Sequence, residues 1–327
     1  MNTQVLATAT LRERETAIAS AVEYLRRGDC VALPTETVYG LAADALAADA
    51  AVKIFEAKER PHFDPLIVHL PDQSWLDRLT AIPPRDQTLV DKLAAEFWPG
   101  PLTFVLQRRA CVPDVVTAGL ATVAVRISAH PVLTGVLKAF DGPLAAPSAN
   151  RFGRISPTAA SHVVEELDGR IPLIVDGGAT THGLESAIIA VRNSRIEILR
   201  RGPVTAEQLR AFANVNEPRR DGIEAPGQLP SHYAPRTRLV LMSEFGSSVG
   251  AAQRIGALRW CSADAREFTA TRTLSPSQDL REAAANLFRY LRELDAAGLD
   301  LIVAEEVPET GLGAAINDRL RRAAAER

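Results

Sequence analysis

The sequence predicts an α/β protein with a large mixed sheet in its first two hundred residues and a smaller α/β unit towards its end. Three observations predict this fold class. Amphipathic stretches alternate with short apolar runs, which is typical of helices packed on a sheet. A stretch rich in proline, glycine, arginine and asparagine separates two such patterned parts. At 327 residues the chain is longer than one ordinary domain, so we expect two.

Hydrophobic spacing defines the elements of the first part. The amphipathic stretch Arg12 to Arg27 predicts a helix that ends at Gly28, and the apolar run Cys30 to Leu33 predicts a buried strand. Asp49 is expected to cap the next helix, which Pro61 ends. Further strands are predicted at Leu66 to Leu70, Leu102 to Gln107, Val123 to Ile127, Leu173 to Val175, Ala187 to Val191 and Ile196 to Leu199, and further helices at Thr88 to Phe97, Pro131 to Ala139 and Thr158 to Leu167.

The second part is smaller. Thr205 and Gln208 form a capping box that starts one short helix before Asn214. From Asn214 to Arg236 the periodicity is lost, as expected for a linker or a functional loop. Beyond it, strands are predicted at Leu239 to Met242 and Leu301 to Ala304, and helices at Ser277 to Ala297 and from Ala315. The predicted domains are therefore 1–213 and 237–327, with the linker 214–236 between them.

Composition and charge exclude several classes of protein. The formal net charge is −3 and the pI is near 6.1, so the chain has no global positive field to hold nucleic acid. Cys30, Cys111 and Cys261 are far apart in sequence and form neither a zinc motif nor a disulfide framework. No apolar run approaches membrane-spanning length, and the first residues are charged where a signal peptide is apolar. We expect a cytoplasmic protein that does not bind a membrane.

Two short motifs place polar groups at the ends of predicted elements. The segment Pro34 to Gly40 puts the Thr35 hydroxyl at the carboxyl end of a strand, where open α/β sheets bind ligands. An ordinary polar turn is the alternative. Lys58 and Arg60 lie together at the end of a predicted helix, and such a pair of cations suits phosphate oxygens. Alternatively, the two cations only complement the helix dipole, which needs no ligand. His69, in the next strand, is by itself more typical of a hydrogen-bonded strand histidine than of a ligand contact.

Arg126 interrupts an otherwise apolar strand that begins near Thr122. Burying an unpaired guanidinium costs several kcal/mol, so Arg126 needs an anionic partner. That partner is either a protein carboxylate or a bound one, and the strand pattern leaves both alternatives open.

A polar loop between a predicted strand and a helix carries Ser148, Asn150 and Ser156. Small hydroxyl and amide donors on such a loop suit a phosphate or a carboxylate. The loop has neither the Walker-A spacing nor the dinucleotide pattern GxGxxG. Alternatively, Ser156 or Thr158 caps the helix that follows, and both interpretations are compatible.

Hydroxyl groups and arginines recur further along the chain. Ser186 precedes one predicted strand, and Arg200 and Arg201 end the next. Strand alternation allows only one of these two arginines to point inward. His232 and Tyr233 lie in the linker, an unusual place for two aromatic, hydrogen-bonding side chains unless they dock onto something.

Taken in order, these segments resemble the YrdC-type domain of the threonylcarbamoyl-AMP synthase family. The resemblance rests on the motifs PTETVYGL, KERP, PLIVHL, WPGPLT, VAVRI, PSANRFGRISPT, GLES and LRRG, which run from near Leu11 to Gly202. The linker APGQLPSHYAP and the ending GLGAAINDRLRRAA are similar to the longer form of the family. The resemblance therefore covers nearly the whole chain. It implies a YrdC-type twisted mixed sheet with helices, followed by a smaller Rossmann-like α/β domain.

The resemblance implies a nucleotidyltransferase. In this family, threonine and bicarbonate give N-carboxythreonine, which attacks the α-phosphate of ATP and releases pyrophosphate, leaving threonylcarbamoyl-AMP. A separate threonylcarbamoyl transferase complex then passes the threonylcarbamoyl group to an adenosine of tRNA. ATP is thus expected as a substrate, with Mg²⁺ on its triphosphate, and the sequence offers no carboxylate cage from which metal ligands can be named. The acidic pI predicts that direct tRNA binding is weak or absent.

The resemblance also implies residue roles. Lys58 and Arg60 are expected to be catalytic, because substitution at phosphorus needs charge neutralisation and alignment more than covalent help. The ATP-binding residues implied are Lys58, Arg60, Thr122, Ser148, Asn150, Ser156, Arg200, His232 and Tyr233. The threonine-binding residues implied are Thr35, His69, Arg126 and Ser186. Arg126 is expected to pair the substrate carboxylate through its planar fork, which would supply the anion that its buried position requires.

We expect residues 225–235 to fold over the pocket as a lid that excludes water. The family usually has threonine at the position of Ala187, a departure that weakens only a neighbouring contact. It usually has a basic residue at that of Ser231, so the polarity of the lid differs here. Two other functions stay open: an RNA-binding YrdC-type module, and a carbamoyl-adenylate-forming enzyme of hydrogenase maturation that uses carbamoyl phosphate. The maturation protein carries acylphosphatase and zinc-finger-like segments, which this sequence lacks.

Overall fold

The structure, a computed structural model, describes residues 2–216, 224–229, 232–248, 254–261 and 268–325. It divides into two compact units. The first contains Met1–Phe152, Pro157–Thr180 and Glu185–Gln228, and the second contains Gly153–Ser156, Thr181–Leu184 and Leu229–Arg327. The predicted linker is thus shared between the units, and its residues 217–223 and 230–231, Ser231 among them, lie outside the described residues. The boundaries at 213 and 236 stay predictions.

The first unit is built on one mixed sheet. Its strands are β1 (Gln4–Ala7), β2 (Val31–Leu33), β3 (Gly40–Asp44), β4 (Ile67–His69), β5 (Thr80–Ala81), β6 (Leu102–Arg108), β7 (Thr122–Arg126), β8 (Leu144–Ala145), β9 (Leu173–Asp176), β10 (Ala187–Arg192), β11 (Arg195–Arg200) and β12 (Val215–Asn216). Its helices are α1 (Leu11–Arg26), α2 (Ala48–Lys58), α3 (Leu76–Leu79), α4 (Pro84–Phe97), α5 (Asp114–Thr117), α6 (Pro131–Phe140), α7 (Ala160–Leu167) and α8 (Ala206–Arg210), with a 3₁₀ turn at Gln73–Trp75.

The strand order explains why distant motifs meet. The order is β1-β9-β2-β3-β8-β4-β7-β6-β10-β11-β12, with β5 paired to β6. β4 is parallel to β7 and β6 is parallel to β10, whereas β6 and β7 are antiparallel, as are β10 and β11. The predicted mixed sheet is therefore confirmed. The consecutive strands β4, β7, β6 and β10 lie in or directly beside the motifs PLIVHL, VAVRI, WPGPLT and GLES.

The two faces of this sheet are covered differently. On one face, α2, α4 and α7 pack on alternate strand residues and form the main core. On the other face, α1 and α6 cover β2, β3, β8 and β9 through a second apolar cluster. The remainder of that face, on β4, β7, β6 and β10, carries a small third cluster, to which Ala225 of the predicted linker also belongs. The polar residues of the candidate site lie next to this third cluster.

Local differences from the sequence predictions concern helix starts and the strands β1, β3, β5, β8 and β12, which were not predicted. α2 begins after Ala47, and Asp49 lies in its first turn without capping it, so that predicted cap is wrong. α7 begins after Ala159, and neither Ser156 nor Thr158 is its cap. β3 was missed, because its sequence GLAAD contains a glycine and two alanines, which have low strand propensity.

The second unit contains a parallel sheet. Its strands are β13 (Arg238–Leu241), β14 (Ile255–Arg259), β15 (Ala270–Thr273) and β16 (Leu301–Ala304), and they run in the order β13-β16-β14-β15. Its helices are α9 (Phe245–Ser248), α10 (Leu280–Asp295) and α11 (Gly313–Ala324), with a 3₁₀ turn at Met242–Glu244. Parallel strands connected through helices confirm the predicted Rossmann-like unit. In the part of the chain that the structure describes, no helix has both the length and the apolar character that crossing a membrane requires.

Candidate active site

Four neighbouring inner strands of the sheet carry a row of polar residues where β4 and β7 end and β6 and β10 begin. His69 on β4 pairs in register with Arg126 on β7. Thr103 precedes Phe104 on β6, the partner of Val125 on β7, and Ser186 lies directly before β10. Because alternate residues share a face, the four side chains lie on the face of the small third cluster. The structure thus brings together three of the four predicted threonine-binding residues and adds Thr103, which the sequence did not reveal.

Each of the three guanidinium nitrogens of Arg126 contacts a protein residue. Its Nε donates to the Gly100 carbonyl oxygen at 3.0 Å, and its Nη1 donates to Thr37 Oγ1 at 3.0 Å. Its Nη2 lies 2.7 Å from Oε1 of Glu36, in an ion pair that is not aligned as a hydrogen bond. The anionic partner that the buried guanidinium requires is therefore a protein carboxylate. Glu36 thus supplies one anionic partner, and the expectation that Arg126 also pairs the substrate carboxylate stays a prediction.

Glu36 is held as a carboxylate. Ser128 donates to its Oε2, and the Ala129 backbone N–H donates to its Oε1 at 3.1 Å. Burial alone would raise the pKa of Glu36, but the charge of Arg126 and these hydrogen bonds lower that pKa to about 2. Glu36 is therefore ionised at neutral pH. Sequence reasoning passed over it although it stands next to Thr35 in the same motif.

Thr35 is fixed in the turn that follows β2. Its Oγ1 lies 2.8 Å from Thr37 Oγ1, accepts from the Thr37 backbone N–H at 3.0 Å and donates to the Val38 carbonyl oxygen at 2.6 Å. Tyr39 anchors the end of the turn by donating to the Gly178 carbonyl oxygen at 2.7 Å. Since Thr37 also contacts Arg126, the hydroxyl group of Thr37 connects Thr35 to the polar row.

His69 is a buried, neutral member of the row. Burial and, after it, the charge of Arg126 lower the pKa of His69 to about 3. Its side chain is 3% exposed, and its Nδ1 has no hydrogen-bond partner among the described residues. Buried polar atoms normally have partners, so this nitrogen is suited to a polar group of a ligand.

Lys58 connects two of the sequence motifs. It is the last residue of α2, and its buried Nζ donates to the carbonyl oxygens of Ser148 and Asn150. The helix ends there because Glu59 adopts a left-handed conformation, with φ of 53°. Burial, followed by the charge of nearby Arg60, lowers the pKa of Lys58 well below its ordinary value. The loop of small polar residues is thus tied to the helix end that carries both cations.

Arg60 is paired with a buried carboxylate that the sequence did not reveal. Its Nη2 lies 2.9 Å from Asp64 Oδ2 and donates to the Pro65 carbonyl oxygen at 2.8 Å. Burial raises the pKa of Asp64, and the positive charges of Arg60, Lys58 and Arg200 oppose that rise. The charges of three predicted nucleotide-binding cations therefore act on one carboxylate, with which Arg60 is in direct contact.

Arg200 links this cation group to the polar row. Its Nε and Nη2 each contact Ser186, at the carbonyl oxygen and at Oγ, both at 3.1 Å. Ser186 Oγ lies 2.8 Å from Thr103 Oγ1. Arg200 also donates to the Pro226 carbonyl oxygen at 3.3 Å. Arg200 is buried whereas Arg201 is half-buried, so Arg200 is the arginine that points inward.

The other predicted nucleotide-binding residues are placed differently. Thr122 begins β7, four residues before Arg126, which puts it about 13 Å away along the strand. Ser156, His232 and Tyr233 are buried and belong to the second unit. The first unit therefore gathers Lys58, Arg60, Ser148, Asn150 and Arg200 but does not by itself gather the full predicted set.

No metal cluster is found among the described residues, where no group of three or more His, Cys, Asp and Glu side chains is placed to hold an ion. The cysteines Cys30, Cys111 and Cys261 are free thiols. Burial raises the pKa of the Cys30 thiol to about 12, so this residue is inert.

Comparison with known proteins decides the family. A family model described as "Telomere recombination" matches residues 23–202, and one described as "Threonylcarbamoyl-AMP synthase, C-terminal domain" matches residues 204–325. The threonylcarbamoyl-AMP synthase of Pyrococcus abyssi (strain GE5 / Orsay) is 38% identical, over 97% of this chain and 97% of its own length. The chain belongs to the threonylcarbamoyl-AMP synthase family. The threonylcarbamoyl-AMP synthase of Bacillus subtilis (strain 168) is 40% identical, over 98% of this chain and 96% of its own length.

Solved structures of threonylcarbamoyl-AMP synthase relatives agree with this result. The Pyrococcus abyssi Sua5 protein complexed with L-threonine is similar over 98% of both chains, with a TM-score of 0.87 and 35% identity. A variant of that protein, with one histidine and one tyrosine replaced by alanine, is similar with a TM-score of 0.88 over 98% of this chain and 96% of its own. The resemblance found in the sequence motifs is confirmed. As a two-domain member of the threonylcarbamoyl-AMP synthase family, the chain is an enzyme of the nucleotidyltransferase type.

Proposed function

We propose that the chain is an L-threonylcarbamoyladenylate synthase. It converts L-threonine, bicarbonate and ATP into threonylcarbamoyl-AMP, pyrophosphate and water, the first step in forming threonylcarbamoyladenosine in tRNA. The observation that carries the proposal is the position of Arg200. Its guanidinium bonds to Ser186 at the end of the polar row, and its charge acts on Asp64 within the cation group. An amino-acid subsite next to a phosphate subsite is what this reaction requires.

In the proposed threonine subsite, Arg126 binds the substrate carboxylate. A guanidinium has five N–H donors, and the hydrogen bonds to Gly100 and Thr37 use one each, which leaves one on Nη1 and two on Nη2. Because Glu36 already neutralises Arg126, these remaining donors orient the carboxylate more than they add net charge. Thr35, His69 and Ser186 complete the subsite.

In the proposed nucleotide subsite, Lys58 and Arg60 are the catalytic residues. A carbamate oxygen of N-carboxythreonine attacks the α-phosphorus, and the bond from that phosphorus to pyrophosphate breaks with its electron pair staying on the pyrophosphate oxygen. Fixed cations stabilise the charge that develops there. Bound phosphate favours the charged form of buried Lys58, which opposes the effect of burial. The other residues proposed to bind ATP are Thr122, Ser148, Asn150, Ser156, Arg200, His232 and Tyr233.

Mg²⁺ is proposed to enter with the triphosphate. The described residues offer it no cage, since Glu36 and Asp64, the buried carboxylates of the site, are paired with arginines. This suits an ion that keeps water and phosphate oxygens as its main ligands. No step of the proposed reaction is assigned to a metal held by the protein.

We propose the same domain organisation that the sequence predicts. Residues 1–213 form the catalytic YrdC-type domain, residues 214–236 form the linker with the lid, and residues 237–327 form the Rossmann-like domain. The product passes to a threonylcarbamoyl transferase complex that acts on tRNA. The net charge of −3 supports weak or no direct tRNA binding. Free thiols at all three cysteines support a reducing compartment, the cytoplasm.

The decisive experiment measures pyrophosphate release from ATP by the purified protein. Threonine and bicarbonate are added separately and then together, and release that needs both supports the proposal. Release with carbamoyl phosphate in their place would support the maturation-type reaction instead. No release in any mixture, together with RNA affinity that falls steeply with salt, would support an RNA-binding module.

A further inference from the structure

The ending motif GLGAAINDRLRRAA has no part in the proposed chemistry, yet it contains a fully buried arginine. Arg319 on α11 is 0% exposed. Its guanidinium carbon lies 5.3 Å from the centre of the Tyr233 ring, and its Nη1 lies 3.1 Å from Asp318 Oδ2. Asn317 fixes the same helix by exchanging hydrogen bonds with both the N–H and the carbonyl oxygen of Val307, at 2.9 and 2.7 Å. Because burying an arginine is costly, this position indicates that its contact with Tyr233 matters.

Tyr233 is held on more than one side. Phe288 of α10 stacks against its ring at 5.5 Å, and the His232 ring meets it edge-on at 4.2 Å. Tyr233 also has φ of +64°, in the left-handed region that residues with side chains rarely adopt. Such a conformation persists only where the surroundings determine it strongly. The orientation of the ring is therefore imposed by α10 and α11.

The backbone on both sides of Tyr233 is fastened to the same two helices. Arg322 of α11 donates to the Leu229 carbonyl oxygen, and its own carbonyl oxygen accepts from the His232 N–H at 3.3 Å. Asp295, the last residue of α10, accepts from the Thr237 N–H at 2.7 Å. Within the second unit, the described residues from 229 to 237 thus follow the surface that α10 and α11 provide.

We propose that Arg319 is a positioning residue for the His232–Tyr233 pair. With Phe288 it holds the Tyr233 ring, and through it His232, in the orientation in which the pair acts on the nucleotide. This inference rests on the proposed function and extends it, because it gives the second unit a role in ATP turnover. In this proposal Arg319 acts on the nucleotide through its contact with the Tyr233 ring.

The test compares Arg319→Met with Arg321→Met. Arg321 lies on the same helix but is half exposed and pairs only with Glu306 and Glu309 among the described residues. We expect Arg319→Met to raise the KM for ATP and the Kd for ATP about tenfold, the size that a desolvated cation–π contact allows, and Arg321→Met to change neither. Melting curves verify that each variant is folded. Phe288→Leu removes the other face of the ring contact and serves if Arg319→Met does not fold.

A double-variant cycle separates positioning from general damage. If Arg319 acts through Tyr233, the variant that combines Arg319→Met with Tyr233→Ala binds ATP no more weakly than Tyr233→Ala alone. Additive effects, or Arg319→Met and Phe288→Leu variants that match Arg321→Met, would overturn the inference. Failure of the proposed function has a different signature: the unmodified protein then releases no pyrophosphate with threonine and bicarbonate, while the cycle of ATP Kd values still reports the coupling.

Discussion

Nη2 of Arg126 lies 2.7 Å from Oε1 of Glu36, and both side chains are buried. This ion pair joins the turn after β2 to the end of β7, two segments far apart in the sequence. It also neutralises the central arginine of the polar row before any substrate binds. The row therefore presents oriented donors, not an unpaired charge, to the threonine carboxylate that is proposed to bind there.

Glu36→Gln tests this relationship. Removing one partner of a buried ion pair leaves the other charge uncompensated, which typically costs about 3–5 kcal/mol of folding stability. We expect a lower melting temperature and a KM for threonine raised at least about tenfold. A misplaced Arg126 guanidinium loses roughly one charge-assisted hydrogen bond to the substrate. The KM for ATP should change far less.

The matched control is Glu23→Gln, which removes an exposed carboxylate paired with Arg27 at the surface. It should leave both stability and kinetics nearly unchanged, because exposed pairs contribute little. A Glu36→Gln protein with an unaltered KM for threonine would show that Glu36 does not orient Arg126.

The lowered pKa of Glu36 predicts how stability depends on pH. Its folded pKa is about 2, against an ordinary value of 4.5. A depressed carboxylate pKa stabilises the fold fully above the ordinary value, and that stabilisation is lost as the pH falls from 4.5 towards 2. Urea unfolding at a series of pH values should show this loss, and Glu36→Gln should show less of it. Parallel curves for the two proteins would contradict the assignment.

The sequence predicted the fold better than it predicted the contacts of the site. Short apolar runs were enough to locate β4, β7 and β10, because such runs are typical of buried strands. The need of Arg126 for an anion also followed from its apolar neighbours. Which anion it meets did not, because Glu36 and Arg126 are brought together only by the order of strands. Asp64 and Thr103 stayed hidden for the same reason: no local pattern distinguishes them from polar residues of loops and strands.

Lys58→Met should abolish most pyrophosphate release. Methionine keeps much of the volume of the stem but removes the ammonium that contacts Ser148 and Asn150 and is proposed to face the phosphates. Loss of one fixed donor at a developing charge costs about 10²–10³-fold in kcat. The Kd for threonine, measured by calorimetry, should stay within about threefold, because threonine is proposed to bind at the polar row.

Lys53→Met is the control for this change. Lys53 lies on the same helix but is partly exposed and pairs with Asp29. Its replacement should leave turnover unchanged. A Lys58→Met protein that retains turnover, with an intact fold by circular dichroism, would remove Lys58 from the proposed mechanism.

Thr103→Val tests whether the hydroxyl chain from Thr103 through Ser186 to Arg200 is functional. Valine has nearly the shape of threonine, so the change removes the 2.8 Å contact with Ser186 and little else. An unpaired buried partner costs about 1–3 kcal/mol. We expect a raised KM for threonine together with a modest loss of stability. Thr80→Val, which removes a buried hydrogen bond to the Leu76 carbonyl oxygen outside the row, should cost similar stability without a change in KM.

Substrate choice tests how the row recognises the side chain of threonine. His69 is buried and neutral, and its Nδ1 has no partner among the described residues, so it is proposed to bind a polar group of the substrate. Serine lacks only the methyl group, and a lost methyl costs about 10–200-fold in kcat/KM. Valine lacks the hydroxyl and leaves a buried polar group unpaired, which a site built to bind that hydroxyl rejects by about 10⁴-fold or more. Pyrophosphate release with serine should therefore exceed that with valine. Both amino acids are first purified from traces of threonine and are assayed at saturating ATP and bicarbonate. If valine were the better substrate, the pocket would select shape alone, and the proposed role of His69 would be wrong.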